Sequence, residues 1–205
     1  IGVYHLMCRT LNNLERKLSA YGLHISKEER ELAKLAALLH DIGHGVNSHL
    51  LEEITGVSHE QRGIEIIQDP TTEIHQIIKK HYGEDFVQKL TEFMNCIYGN
   101  GEVEKSIELR DDNTVPLKGL LATLISHNID LDRIDYLMRE STYTGIGTLT
   151  NYQELTNSFE CILAGNQMIL AIPQEKKFFL EANILERTRN YLSLIHISEP
   201  TRQAE

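Results

Sequence analysis

The chain has 205 residues and a mass of 23.5 kDa, enough for one domain or one domain with a small appendage. Its net charge of −10 argues against a dedicated binder of duplex nucleic acid, because phosphate contacts need a basic surface. The longest apolar runs are far shorter than the roughly 20 residues of a membrane span, so no membrane partner is expected. The three cysteines, Cys8, Cys96 and Cys161, are widely spaced, which indicates free buried thiols in a reducing cytoplasm.

The first half of the chain carries helical patterns throughout. Apolar residues at helical spacing predict a helix that is already in progress at the first residues. The capping boxes Ser26 with Glu29 and Ser58 with Gln61 predict two further helices, over residues 26–39 and 58–67. The same apolar period then predicts two more helices, over residues 71–81 and 84–98.

The second half is more varied. The polar stretch 99–114 is typical of a loop, and Pro116 suits the first turn of a long helix that reaches about residue 139. Gly165-Asn166 between two short apolar runs predicts a β-hairpin. A last helix is predicted over residues 176–192. We therefore expect a mainly α fold with a small β-hairpin near the C-terminus.

Histidine is unusually frequent, with 10 residues in the chain, and the run HDIGHG begins at His40. Adjacent His40 and Asp41 at a helix end can point at one divalent cation. The same dipeptide is also compatible with a plain helix C-terminus at which His40 bonds the last carbonyl groups. Gly43 and Gly45 would allow a sharp turn and close approach to a ligand. The full run, followed by Ser48-His49, favours a functional site.

A second group of polar residues lies in the predicted long helix. Asp132, Tyr136 and Glu140 are spaced by four residues and share one helix face, with Arg133 beside it. A solvated charged face is the alternative interpretation. Apolar residues nearly all round favour burial, and buried carboxylates need a metal ion or an arginine as partner.

Together, HDIGHGVNSH and IDLDRIDYLMRESTYTGI resemble the HD-domain phosphohydrolases, and most of all the branch with the SAM-and-HD-domain dNTP triphosphohydrolase and its bacterial relatives. The resemblance runs from residue 1 to about residue 191. It implies an HD-domain helical core over residues 1–150, truncated at its N-terminus, and a hairpin plus helix over 151–192. Residues 193–205 resemble a non-native read-through tail, with a short genuine C-terminal segment as the alternative.

The resemblance implies one divalent metal ion, which could be Mn, Fe, Mg, Zn or Ni. His40 and Asp41 match the central pair of its ligands, and Asp132 matches the distal carboxylate. Asp130 does not match and is interpreted as a supporting or helix-surface acid. The remaining histidine ligand would fall two residues before the first residue of this chain, and His5 matches a non-ligand position.

The resemblance also implies the residues of the reaction. His44 would lie beside the scissile phosphate, His59 would be the general acid, and Glu52 would orient or charge these histidines. Without the resemblance, His59 reads as a solvent-exposed residue in the first turn of a helix. The positions expected to contact the substrate are His49 and Arg133 for phosphate, Tyr136 for sugar or base, and Glu140.

The expected function is metal-dependent hydrolysis of a dNTP at its α-phosphorus, which releases deoxynucleoside and inorganic triphosphate. One alternative is an HD phosphatase or phosphodiesterase for nucleoside monophosphates or cyclic nucleotides. Another is a non-hydrolysing HD-fold nucleotide sensor. The cyclic-di-GMP branch is disfavoured, because no Gly-Tyr-Pro motif follows the HD pair. The resemblance further implies a homo-oligomer in the full-length protein and allows a nucleotide effector.

Overall fold

The structure is a computed structural model that describes residues 1–45, 48–98, 107–108, 114–115, 118–125, 130–145, 152–164, 167–171, 183–184 and 186–190. Over these residues the fold is mainly α, as predicted. Its helices are α1 (Gly2–Ser19), α2 (Lys27–Leu39), α3 (Ser48–Thr55), α4 (His59–Gln68), α5 (Glu73–Tyr82), α6 (Glu84–Tyr98), α7 (Lys118–Ile125), α8 (Leu131–Thr144) and α9 (Tyr152–Ser158). The strands are β1 (His24–Ile25), β2 (Ile107–Glu108), β3 (Thr114–Val115), β4 (Glu160–Ala164) and β5 (Gln167–Ala171).

Helix α1 is the central element of the core. It packs against α2, α8 and α9 and against β4, and its fully buried residues include Met7, Leu11 and Leu14. Helix α2 also packs on α6 and α7, where Phe93 of α6 is fully buried. Because α1 contacts both α2 and α8, its apolar face sets the distance between those two helices.

Side-chain caps begin the predicted helices at or near the expected positions. Ser26 and Ser58 are the N-caps of α2 and α4, and each Oγ accepts a hydrogen bond from the backbone N–H three residues later, at 3.2 Å. Thr72 does the same for α5, so that helix begins two residues later than predicted. Helix α6 has the predicted bounds.

The predicted long helix over residues 116–139 is wrong, because the structure has two helices there. Helix α7 ends at Ile125, and Asp130 has an extended backbone (φ −123°, ψ 167°) before α8 begins. Asp130 Oδ1 accepts a hydrogen bond of 2.6 Å from the backbone N–H of Arg133. Aspartate is among the strongest N-cap residues, and its charge complements the helix dipole, so it begins a helix here. Asp130 is buried in this role and is not a surface acid.

The strands form two small sheets. Strands β4 and β5 are antiparallel, with Glu160 opposite Ala171 and Ala164 opposite Gln167, which confirms the two strands of the predicted hairpin. Its Gly165-Asn166 turn lies outside the described residues. Strand β2 pairs with β5, and β1 pairs with β3 in parallel, so the prediction of an unbroken loop over 99–114 is wrong at β2 and at the first residue of β3. Helix α9 was not predicted.

Other predictions concern the C-terminal region, the membrane and the thiols. In the last predicted helix, residues 183–184 and 186–190 are helical, and the rest lies outside the described residues, as does the tail over 193–205. Over the part of the chain that is described, no helix is both long and apolar enough to cross a membrane. Cys8 and Cys96 are free, as expected, but half-buried instead of buried.

Replacing Asp130 with alanine should lower the free energy of unfolding by about 1 kcal/mol, because α8 loses its N-cap. The matched control is D130N, whose amide oxygen can still accept the hydrogen bond from the N–H of Arg133. Urea titration followed by circular dichroism measures both variants. Equal losses in D130A and D130N would contradict the capping role and would point to the charge instead.

Candidate active site

The first cluster of polar side chains forms where α2 ends. His40 is the C-cap of α2, and its Nδ1 lies 3.0 Å from the carbonyl oxygen of Ala37. A carbonyl oxygen only accepts hydrogen bonds, so Nδ1 is the donor and Nε2 is the ring atom directed away from the helix. The capping role considered as an alternative for His40 is therefore real, and it orients the ring for a second role.

Two carboxylates meet that second ring nitrogen. His40 Nε2 lies 3.2 Å from Asp41 Oδ2 and 3.2 Å from Asp132 Oδ1. Asp132 is in the first turn of α8, 92 residues away along the chain. The fold thus brings together the three residues that the sequence predicts as metal ligands, with one ligand atom from each within 4.8 Å of the others.

The electrostatics of this cluster favour positive charge. Burial lowers the pKa of His40, but hydrogen bonds to Asp132 and Asp41 outweigh it and raise this pKa to about 10. The hydrogen bond from His40 in turn lowers the pKa of Asp41, against the opposing effect of burial. An imidazole with two carboxylates is also a common donor set for a divalent cation. The cluster therefore fits either a shared proton or a bound metal ion.

A second cluster adjoins the first through Asp41. The rings of His44 and His59 stack with centroids 3.8 Å apart, and His44 Nε2 lies 3.4 Å from Asp41 Oδ1. Glu52 of α3 accepts two hydrogen bonds from His59, one from its backbone N–H at 3.0 Å and one from Nδ1 at 2.5 Å. His59 is half-buried, so the solvent-exposed alternative for it is wrong. One ligand atom from each of Asp41, His44 and His59 also lies within 4.8 Å of the other two, so these three residues could hold a metal ion.

The two histidines meet because the loop after α2 lies directly on the backbone of α4. A Cβ atom on Gly43 would lie 1.9 Å from the carbonyl oxygen of His59 and 2.5 Å from the backbone nitrogen of Gly63. Arg62 Nη1 adds a hydrogen bond of 3.2 Å to the Gly43 carbonyl oxygen. Gly43 is predicted from the sequence to allow close approach to a ligand, whereas in the structure it allows close approach to a helix.

A cavity of about 290 Å³ opens beside the first cluster. It is lined by six residues that the sequence predicts as site residues: His40, Asp41, His59, Asp132, Arg133 and Tyr136. Four residues without such a prediction line it as well: Glu60, Tyr98, Ile125 and Asp130. Carboxylates, two imidazoles, a guanidinium group and two phenols thus share one cavity.

Comparison of the sequence with known protein families identifies the family of this chain. A model of the HD domain matches residues 3–137, a range that contains both clusters. The chain belongs to the HD-domain family.

Relatives of this HD domain include proteins with and without a described activity. The chain is 34% identical over 148 residues to the uncharacterized protein YwfO of Bacillus subtilis. That alignment covers 71% of this chain and 28% of YwfO. The chain is 25% identical over 165 residues to a deoxynucleoside triphosphate triphosphohydrolase SAMHD1 homolog of Dictyostelium discoideum, covering 76% of this chain and 28% of that protein.

The crystal structure of a phosphohydrolase from Bacteroides thetaiotaomicron superimposes with a TM-score of 0.62 at 26% identity. That alignment covers 94% of this chain and 40% of the phosphohydrolase. The chain therefore spans less than half the length of the three relatives named here.

The sequence also predicts Glu140 and His49 as site residues and His5 as a non-ligand position. Glu140 is half-buried further along α8 and is not among the described residues that line the cavity. Burial, and then the charge of Glu140, raise the pKa of Tyr136. His49 belongs to α3, but its side chain lies outside the described residues, and its contact with phosphate stays a prediction. His5 is exposed and belongs to neither cluster.

Tyr98 is the main residue of the site that the sequence analysis missed. Its hydroxyl group donates a hydrogen bond of 2.6 Å to the carbonyl oxygen of His40. Burial raises the pKa of Tyr98 well above its usual range, as do the charges of Asp41, Glu60 and Asp132, so the phenol stays protonated. As the last residue of an apolar helix pattern, Tyr98 reads as a core residue. The sequence did contain a signal for Glu60, because Glu60 directly follows the predicted site residue His59.

Replacing Gly43 with alanine should lower the free energy of unfolding by about 1–3 kcal/mol, because the added methyl group must displace the backbone of α4. The matched control is G63A on the facing helix. Its Cβ would lie 3.4 Å from Ile42 and 3.5 Å from the Gly43 nitrogen, which are ordinary contacts, and alanine favours the helix by about 1 kcal/mol. Urea titration should show G43A destabilised and G63A unchanged or more stable. Equal effects would contradict the close contact.

Proposed function

We propose that this HD domain hydrolyses deoxynucleoside triphosphates to deoxynucleoside and inorganic triphosphate. The observation that carries the proposal is the convergence of His40, Asp41 and Asp132 on a cavity that also holds His59 and Arg133. The name of the Dictyostelium relative supports the same reaction. A nucleotide substrate and a homo-oligomer of the full-length protein, which the resemblance implies, belong to the proposal, as does a nucleotide effector, which the resemblance allows.

The three ligands predicted from the sequence would hold one divalent ion, such as Mn, Fe, Mg, Zn or Ni. When bound, such an ion supplies Lewis acidity, which polarises water and offsets charge on phosphoryl oxygens. The ring of His40 is prepared for this role, because its Nδ1 hydrogen bond to Ala37 leaves Nε2 facing the two carboxylates.

Cationic and aromatic side chains on the same wall suit the rest of a nucleotide. Arg133 would bind phosphoryl oxygens, since a guanidinium group presents several donors in one plane. Tyr136, one turn further along α8 at the same cavity, would pack against the sugar or base. The net charge of the chain is negative, so this local cation matters for binding a polyanion.

The stacked histidines, His44 and His59, would supply the proton that the leaving deoxynucleoside needs. Water adds to the α-phosphorus through its oxygen atom and releases a proton to solvent, and the bond from phosphorus to the 5′ oxygen breaks. The 5′ oxygen then takes a proton from His59 or His44, and inorganic triphosphate leaves with the transferred oxygen. Glu52 would hold the ring of His59 through Nδ1, so that Nε2 is the atom available to the cavity.

The decisive assay incubates the protein with each dNTP and Mn²⁺ and measures inorganic triphosphate by ion chromatography. We expect triphosphate that disappears with EDTA and in the H40A/D41A variant. The resemblance places a further histidine two residues before Ile1, so a form with His-Ser added there is assayed in parallel. Light scattering with and without dNTP tests the oligomer and the effector.

No triphosphate from either form, with Mn²⁺ shown to be bound, would overturn the proposed activity. Release of phosphate from nucleoside monophosphates, or hydrolysis of cyclic nucleotides, would then support the phosphatase or phosphodiesterase alternative. Nucleotide binding without turnover would support the sensor.

Replacing Glu52 with glutamine should lower kcat about tenfold with little change in Mn²⁺ affinity, because among the described residues Glu52 bonds His59 and not the three predicted ligands. The matched control is E53Q, one residue along α3, where the side chain is exposed. Steady-state kinetics and calorimetric titration with Mn²⁺ separate the two effects. A drop in Mn²⁺ affinity with unchanged kcat would contradict an orienting role for Glu52.

A further inference from the structure

Tyr98 makes a contact between α6 and the end of α2, 58 residues away along the chain. We propose that Tyr98 is a positioning residue that sets the direction of the His40 and Asp41 side chains toward Asp132. This inference rests on the proposed metal site formed by those three residues.

The carbonyl groups around the end of α2 show which contacts hold this turn. A helix leaves its last carbonyl groups without partners inside the helix. Local contacts satisfy three of them here: His40 Nδ1 bonds Ala37, the N–H of Ile42 bonds Leu39, and the N–H of His44 bonds Asp41. Of these four carbonyl groups, that of His40 is the one that a described residue of a distant helix bonds, Tyr98 at 2.6 Å.

The position of that carbonyl explains why its partner matters. It belongs to the peptide unit that joins His40 to Asp41, and a peptide unit is planar. Fixing the oxygen of this unit therefore restricts the backbone on both sides, from which the two side chains depart. Their ligand atoms must meet Asp132, and His40 Nε2 lies 3.2 Å from both carboxylates.

The carboxylates beside the phenol cannot replace it. Tyr98 lines the same cavity as Asp41, Glu60 and Asp132. Ionised carboxylates only accept hydrogen bonds, so none of these three can donate to the carbonyl oxygen of His40. Without the hydroxyl group, the peptide unit loses this restraint, and a partly buried acceptor has to find another donor or stay unpaired.

The test replaces Tyr98 with phenylalanine and measures Mn²⁺ binding by calorimetry and the Mn²⁺ EPR spectrum. We expect a Kd about tenfold higher, as is typical when a group that orients a metal ligand is removed, and a changed EPR line shape. The matched control is Y82F. Tyr82 also donates from another helix to α2, at 3.2 Å to Glu31, but away from its C-terminal end, so its Kd should be unchanged.

Circular dichroism checks that Y98F folds. If it does not, Y98M also lacks the hydroxyl group while filling the space of the ring with a flexible apolar side chain, and it is titrated in the same way. A Kd within twofold of wild type in the folded variant, with an unchanged EPR spectrum, would overturn the positioning role alone. Absence of Mn²⁺ binding in the wild type would overturn the metal site and this inference together.

Discussion

Two carboxylates share one imidazole nitrogen at the C-terminal end of α2, and the packing of three helices maintains that contact. Asp41 follows the end of α2, and Asp132 lies in the first turn of α8. Two ionised carboxylates this close together repel each other unless a positive charge lies between them. His40 supplies that charge as an imidazolium, and a divalent cation would supply it in the same place. Helix α1 packs against both α2 and α8, so burial of its apolar face keeps the two carboxylates within reach of His40.

The second cluster depends on a different kind of contact. His44 and His59 stack because the loop at Gly43 lies against the backbone of α4 with no room for a Cβ atom. Asp41 joins the clusters, with one carboxylate oxygen near His40 and the other near His44. A displacement of this loop would therefore affect both clusters, since close-packed elements transmit strain.

Membership of the HD-domain family accounts for the fold and for the convergence of these residues, but a family does not determine a substrate. The features that favour a nucleotide belong to the cavity itself. Arg133 offers a cation to phosphate, and Tyr136 offers an aromatic surface beside it. The proposed triphosphohydrolase reaction is therefore a hypothesis about this cavity. Turnover of the nucleotide and affinity for the metal ion can be measured independently, so the two parts of the hypothesis are tested separately.

The sequence alone was sufficient for features that depend on neighbours within a few residues. Ser26 and Ser58 cap their helices as predicted because a cap is completed three residues later in the chain. The HDIGHG run likewise indicated His40 and Asp41 as candidate metal ligands, and their side chains lie together in the structure. The break before Asp130 depends on a cap of the same local kind, which the prediction of one long helix overlooked. The contact of Gly43 with α4 and the bond from Tyr98 to His40 emerged only in the tertiary structure. The last two join residues that are distant in the chain, and their partners are chosen by how the helices pack, which no local pattern records.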